Sequence, residues 1–184
     1  MISARFFEEV FVTQIYKPVR DLGDLNTVID LGACTGEFSL WVYQQAQKIY
    51  AVEADLEAYK NMEENVKDFS KIKPVYLAIG GGIGGGASII HGLSENRPEV
   101  IFKTLATFMK DEKIEQVDVL KTDVESAEKE IFEAPDFGEI ADKVKYILGE
   151  HLGLATGRLE ALGFEVSNFA HGVIAKRKEL EWPK

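Results

Sequence analysis

Short apolar runs recur along this chain, separated by stretches with helical spacing, and few folds accommodate that rhythm. The runs are Thr27–Leu31, Ile49–Glu53, Pro74–Ile79, Val117–Asp123 and Val144–Gly149. Between them, Glu37–Gln47, Leu56–Asp68, 99–111, Ala127–Phe132 and Leu154–Leu162 place apolar residues at helical intervals. Strands apolar on both faces belong in a parallel sheet that helices cover on both sides. Phe164–Phe169 and Gly172–Lys176 are separated by two residues, too few for a parallel crossover, so this last pair is antiparallel. The expected fold is α/β, with a mostly parallel seven-stranded sheet, an antiparallel terminal strand pair and helices on both faces. Ala87–His91 reads as a short extra strand.

At 184 residues the chain is one domain's worth, 1–184, with an N-terminal helical segment (1–26) and a core (27–178). Phe6, Phe7, Val10, Phe11 and Ile15 form a helical stripe that Ser3 caps and Pro18 stops. Lys plus Arg number 21 and Asp plus Glu 31, a formal net charge of −10. That charge disfavours nucleic acid and anionic membranes as partners. The Lys176-Arg177-Lys178 cluster reads as a solvated edge, too short for a nucleic-acid patch. Glu8 and Glu9 interrupt the first apolar stretch, so it does not read as a signal peptide. The single cysteine, Cys34, rules out an intramolecular disulfide and fits a reducing, cytoplasmic setting. Residues 74–94 carry no charge over a membrane-span length, but six of the seven from Gly80 to Gly86 are glycine, unsuited to a helix. Those glycines read as the hinge of a lid or as a plain turn.

Ligands of such sheets sit at the carboxyl ends of the strands, near the point where strand order reverses. There the first run reads Asp30-Leu31-Gly32-Ala33-Cys34-Thr35-Gly36, and Glu53 stands twenty-one residues after Gly32, at the end of the second strand. A carboxylate at that place can accept the two hydroxyls of a ribose. The loop lacks the second glycine of a G-x-G-x-x-G dinucleotide site, which argues against a nicotinamide cofactor. Asp30 would repel a pyrophosphate but suits an aminoacyl sulfonium, which points to S-adenosylmethionine. The expected cofactor residues are Asp30, Gly32, Ala33, Cys34, Thr35, Gly36, Glu53, Ala54, Ala78, Ile79 and Asp123.

Three blocks carry a family resemblance. They are Val28–Ala33 with Gly36 and Phe38-Ser39-Leu40; Tyr50–Asp55 with Asn65; and Val117-Asp118-Val119-Leu120-Lys121-Thr122-Asp123-Val124-Glu125-Ser126-Ala127-Glu128. Together they resemble the FkbM-type methyltransferases, over roughly residues 27–176. Gly149-Glu150-His151 is similar to another strand end of that family. The resemblance implies a Rossmann-like class I S-adenosylmethionine-dependent methyltransferase domain, and usually O-methylation of a hydroxyl on a small molecule or sugar. Thr122 and Ser126 depart from the family pattern, which has an apolar residue and a glycine there.

The catalytic candidates are Asp123, Glu125, Glu150 and His151, all at strand ends. Two chemistries stand open. Histidine's unperturbed pKa suits a general base at neutral pH, which makes His151 a candidate. Alternatively, Asp123, Glu125 and Glu150 hold a divalent cation such as magnesium that acidifies the acceptor hydroxyl. No N/D-P-P-Y/F string follows the fourth main strand, which argues against adenine or glutamine N-methylation. The reading from another class is a catalytically degenerate S-adenosylmethionine-binding module that works through a protein partner, motivated by Ser126.

Overall fold

The computed structural model describes residues 8, 10, 16–81, 100–124, 127–149, 152–169 and 172–181. Nine strands are found among them: β1 Leu25–Leu31, β2 Ala46–Glu53, β3 Ile72–Tyr76, β4 Ala78–Ile79, β5 Phe102–Lys103, β6 Val117–Thr122, β7 Val144–Gly149, β8 Phe164–Phe169 and β9 Gly172–Arg177. The helices are α1 Lys17–Arg20, α2 Glu37–Val42, α3 Leu56–Val66, α4 Leu105–Asp111, α5 Glu128–Glu133 and α6 Thr156–Ala161, with short 3-10 turns between Pro135 and Ala155.

Seven strands form one sheet in the order β3-β2-β1-β6-β7-β9-β8, and β4 pairs with β5 in a small parallel sheet of its own. All main-sheet pairings are parallel except β7 with β9 and β8 with β9. The seven-stranded sheet with its antiparallel end is as expected. The chain winds outward from β1 through β2 to β3, then returns to place β6 on the other side of β1. That reversal leaves a crevice at the carboxyl ends of β1 and β6.

Alternation along the strands divides the core in two. Ile29, Leu31, Leu120 and Ile147 face Phe108 and Met109 of α4, Ile131 and Phe132 of α5, and Leu159 of α6. Val28, Ile49, Ala51 and Val119 face Val19 of α1, Phe38 and Trp41 of α2, and Met62 and Val66 of α3. β6, central in this sandwich, is buried at all six positions.

Several local expectations need correction. Pro18 lies in the first turn of a further short helix, α1, where its missing N–H costs nothing. Residues 1–7, 9 and 11–15, most of the expected first helix, lie outside the described residues, as does Ala87–His91. The helix expected over 99–111 begins only at Leu105, because Thr104 caps it by accepting the N–H of Thr107 at 3.1 Å, while Phe102–Lys103 pairs as β5. The run 74–79 is two strands: the Leu77 N–H turns to the Glu53 carbonyl, at 3.1 Å, before β4 begins. Lys176 is no solvated residue; it is buried in β9, where it binds Glu165 at 2.7 Å and the Leu180 carbonyl at 2.8 Å. Thr122 is fully buried in β6 and its hydroxyl reaches the Leu148 carbonyl at 3.5 Å.

At the amino end of the sheet, the Asp118 carboxylate accepts the N–H groups of Asn26 (2.6 Å) and Thr27 (3.0 Å) and pairs with Lys145 at 2.6 Å. Burial pushes its carboxyl up, but Lys145 and the two N–H groups together hold it below the ordinary carboxylate range. A carboxyl depressed in the fold stabilises it above its unfolded pKa, and that contribution is lost as pH falls through the folded pKa. Asp118→Asn is therefore expected to cost about 2 kcal/mol at pH 7 and progressively less below pH ~4, as read by urea unfolding at several pH values. Equal loss at all pH values would refute a charge-borne role. At the other end, a Cβ on Gly32 would lie 1.9 Å from the Asp123 carbonyl oxygen, and the residue has φ +70°. Gly32→Ala is expected to cost at least ~3 kcal/mol by strain and clash together, measured by the same unfolding.

Candidate functional site

β1 ends at Leu31, and the chain must turn sharply to enter α2. Gly32 and Cys34 take positive φ (70° and 50°) and Gly36 caps α2 at φ 95°. The turn is tied down mostly from within. The N–H groups of Gly32 and Ala33 both donate to the Val52 carbonyl at 3.0 Å, and that of Gly36 to the Ala33 carbonyl at 2.8 Å. The Cys34 N–H donates to Glu53 Oε2 at 2.8 Å, and the Asp55 N–H to Glu53 Oε1 at 2.7 Å. These N–H groups are spent inside the protein, so the loop is not built as a phosphate cradle, which needs free donors.

Against this turn lies a cavity of about 320 Å³. Of the expected cofactor residues, Gly32, Ala33, Cys34, Glu53, Ala54, Ala78, Ile79 and Asp123 line it. They come from the ends of β1, β2 and β6 and from β4, which the topology gathers at one edge. Leu77, Ala78 and Ile79 make one wall apolar; Glu37, Glu53, Asp55 and Asp123 bring carboxylates to the others. Each Glu53 oxygen accepts one backbone N–H and keeps a lone pair for another donor. Burial pushes the Glu53 carboxyl above its ordinary value, only partly offset by the N–H groups of Asp55 and Cys34 and by Lys121. Asp55 also caps α3, accepting from Glu57 (2.8 Å) and Ala58 (2.9 Å).

Three expected cofactor residues sit elsewhere. Asp30 is fully buried beneath the cavity and does not line it: its carboxylate pairs with Lys121 at 3.0 Å and accepts the Ser39 hydroxyl at 2.8 Å. Thr35 and Gly36 turn toward α3. The Thr35 carbonyl accepts Asn65 Nδ2 at 2.9 Å, its hydroxyl bonds Glu37, and a Cβ on Gly36 would meet Val66 at 3.1 Å and Met62 at 3.3 Å. They anchor the loop rather than wall the cavity.

Of the catalytic candidates, Asp123 lines the cavity, whereas Glu125, Glu150 and His151 lie outside the described residues. Among the described residues no three His, Cys, Asp or Glu side chains are grouped to hold a metal ion. Burial, with Glu37 and Glu53 nearby, pushes the Cys34 thiol up to about 11, so it stays protonated and is no nucleophile at neutral pH. The reading of residue patterns missed Lys121, Glu37, Tyr16 and Phe102, all of which line the cavity. Lys121 did carry a signal, as a lone cation within a buried strand; Tyr16 and Phe102 arrive from segments whose approach only the tertiary fold decides.

Comparison with known proteins places this arrangement. The methyltransferase FkbM domain family matches residues 30–171. No curated protein sequence matches the chain. A methyltransferase FkbM from Methylobacillus flagellatus KT shares the fold with a TM-score of 0.62 at 12% identity, over 84% of this chain and 44% of that one. The chain thus spans less than half the length of that solved relative. Precorrin-6y C5,15-methyltransferase from Geobacter metallireducens GS-15 aligns with a TM-score of 0.54 at 15% identity, over 88% of this chain and 85% of that one. Fibrillarin from Aeropyrum pernix, solved with natively bound S-adenosyl-L-methionine, aligns with a TM-score of 0.50 at 14% identity, over 85% and 67%. At these identities the solved structures speak for the fold alone, a class I methyltransferase architecture, while the family match covers most of the chain. By that match, on a sheet and loop of this form, the chain belongs to the FkbM methyltransferase family.

Proposed function

We propose that this chain is an S-adenosylmethionine-dependent O-methyltransferase acting on a hydroxyl of a small molecule or sugar. The observation that carries the donor reading is the Glu53 carboxylate, fixed by two backbone N–H groups in the lining of an apolar-walled, acid-lined cavity. Its spare lone pairs suit a ribose diol. Leu77, Ala78 and Ile79 offer apolar surface for a base, and the surrounding carboxylates favour a cation over a pyrophosphate. The fibrillarin relative, solved with S-adenosyl-L-methionine bound, supports the same donor.

When bound, the donor supplies an electrophilic methyl group on a positively charged sulfur. The protein then has two tasks. It must hold an acceptor oxygen in line with that methyl, where proximity does much of the work. It must also accept a proton from the acceptor hydroxyl, a role we assign to Asp123, the residue after β6, because it lines the cavity. Glu125, Glu150 and His151 are the further candidates for proton or acceptor handling, on the resemblance of their motifs. The net charge of −10 supports a neutral or cationic acceptor over nucleic acid. No helix among the described residues is long and apolar enough to cross a membrane, and the single cysteine supports a cytoplasmic setting.

Three measurements check this reading. Saturating S-adenosylmethionine or S-adenosylhomocysteine is expected to raise the melting temperature by several degrees, about 2.7 kcal/mol at 100 times Kd, while NAD leaves it unchanged; stabilisation by NAD alone would overturn the donor. Because the Glu53 carboxyl is raised, a ribose that donates to its ionised form must bind more tightly as pH rises through the range just above the ordinary carboxylate value. Calorimetry with S-adenosylhomocysteine should show affinity falling from pH 7 to 5, and Glu53→Gln should bind about tenfold more weakly with that slope abolished. With a hydroxyl acceptor found by screening, Asp123→Asn is expected to lower kcat about 100-fold; an unchanged kcat would remove Asp123 as the base.

A further inference from the structure

Lys121 is the one cation on the cavity wall among the described residues, and the proposed methyl transfer assigns it no role. The parallel register sets it directly opposite Asp30 in the neighbouring strand. Its ammonium donates to the Gly32 carbonyl at 2.8 Å and the Leu31 carbonyl at 3.4 Å, and forms an ion pair with Asp30 Oδ1 at 3.0 Å. Burial would push the ammonium toward neutrality, but Asp30 first, then Tyr16 and Asp123, more than offset this and hold it charged.

Those two carbonyls lie where the chain leaves β1 for the positive-φ turn. The turn's N–H groups are satisfied from the β2 side, by Val52 and Glu53. Lys121 takes hold of the opposite side of the same peptides. Both residues whose carbonyls it binds line the cavity, as it does itself.

We propose that Lys121 is a positioning residue, a buried clamp charged by Asp30, that fixes the Leu31–Gly32 peptides and thereby sets the loop against the methyl donor. This rests on the donor reading above. A clamp on backbone geometry acts alike on any ligand that packs against the loop, whether charged or neutral. Asp30 acts only through Lys121, with Ser39 orienting it at 2.8 Å. The clamp therefore requires both members, and loss of either is equivalent.

The test is calorimetric binding of S-adenosylmethionine and S-adenosylhomocysteine to the wild-type chain and to Lys121→Met, Asp30→Asn and the double variant, at a temperature where circular dichroism shows each folded. The clamp predicts both ligands weakened about tenfold in each single variant, with the double variant no worse than either single. Lys121→Arg, which keeps the charge but replaces the point donor with a planar fork, covers the case where Lys121→Met does not fold; it should weaken both ligands about threefold. A lowered melting temperature with unchanged affinities would make Lys121 a stability residue only and overturn the proposal. A change confined to the cationic ligand would overturn it in favour of a purely electrostatic role. If the wild-type chain binds neither ligand, the donor reading fails, and the clamp with it; wild-type binding with unaltered variants sinks the clamp alone.

Discussion

An ammonium and a carboxylate face each other across β1 and β6, buried at the point where the strand order reverses. Neither charge is tolerable there without the other, since a lone ion in a low-dielectric interior is far costlier than a paired one. The pair ties together the two strands whose ends make the crevice. Ser39 brings α2 into the same network, so the helix that follows the turn is registered to the strand that precedes it. Gly32 completes the junction by letting its backbone lie against the Asp123 carbonyl, an approach no side chain would permit.

That junction explains the character of the cavity. A glycine loop before a helix is commonly an anion site because it leaves N–H groups free. Here the N–H groups of Gly32, Ala33, Cys34 and Gly36 have acceptors inside the protein, and one acceptor is the Glu53 carboxylate itself. Apart from Lys121, what reaches the cavity is carboxylate and apolar surface. Such a lining favours a nucleoside with a cationic tail over a pyrophosphate. The same carboxylates, with burial, keep the Cys34 thiol protonated, so the cysteine in the loop serves as a small residue at an unusual φ.

The sheet was legible because strands buried on both faces are apolar throughout, and because the last two are too close in sequence to be parallel. The places of Gly32, Ala33, Cys34, Glu53 and Asp123 followed from the same rule about strand ends. Asp30 was harder. Its neighbourhood in sequence suggests a ligand contact, but period-two alternation buries its side chain on the α2 face, one residue before the turn opens. Whether a strand-end acid meets ligand or lysine depends on the neighbouring strand's register, which local sequence does not state. The helix expected from Glu99 likewise gave way to a strand, since Ala78–Ile79 offers Phe102–Lys103 a pairing partner that propensity alone cannot anticipate.

The sequence by itself determined the layer architecture, the crevice at the carboxyl ends and the acid at the end of the second strand, because hydrophobic periodicity and glycine placement are local properties. The tertiary structure decided which of two acids faces the cavity, that Lys121 is both partner and wall, and that the loop keeps its donors for itself. Those outcomes follow from hydrogen bonds and an ion pair between residues 19 to 91 positions apart, whose geometry exists only once the strands are in register.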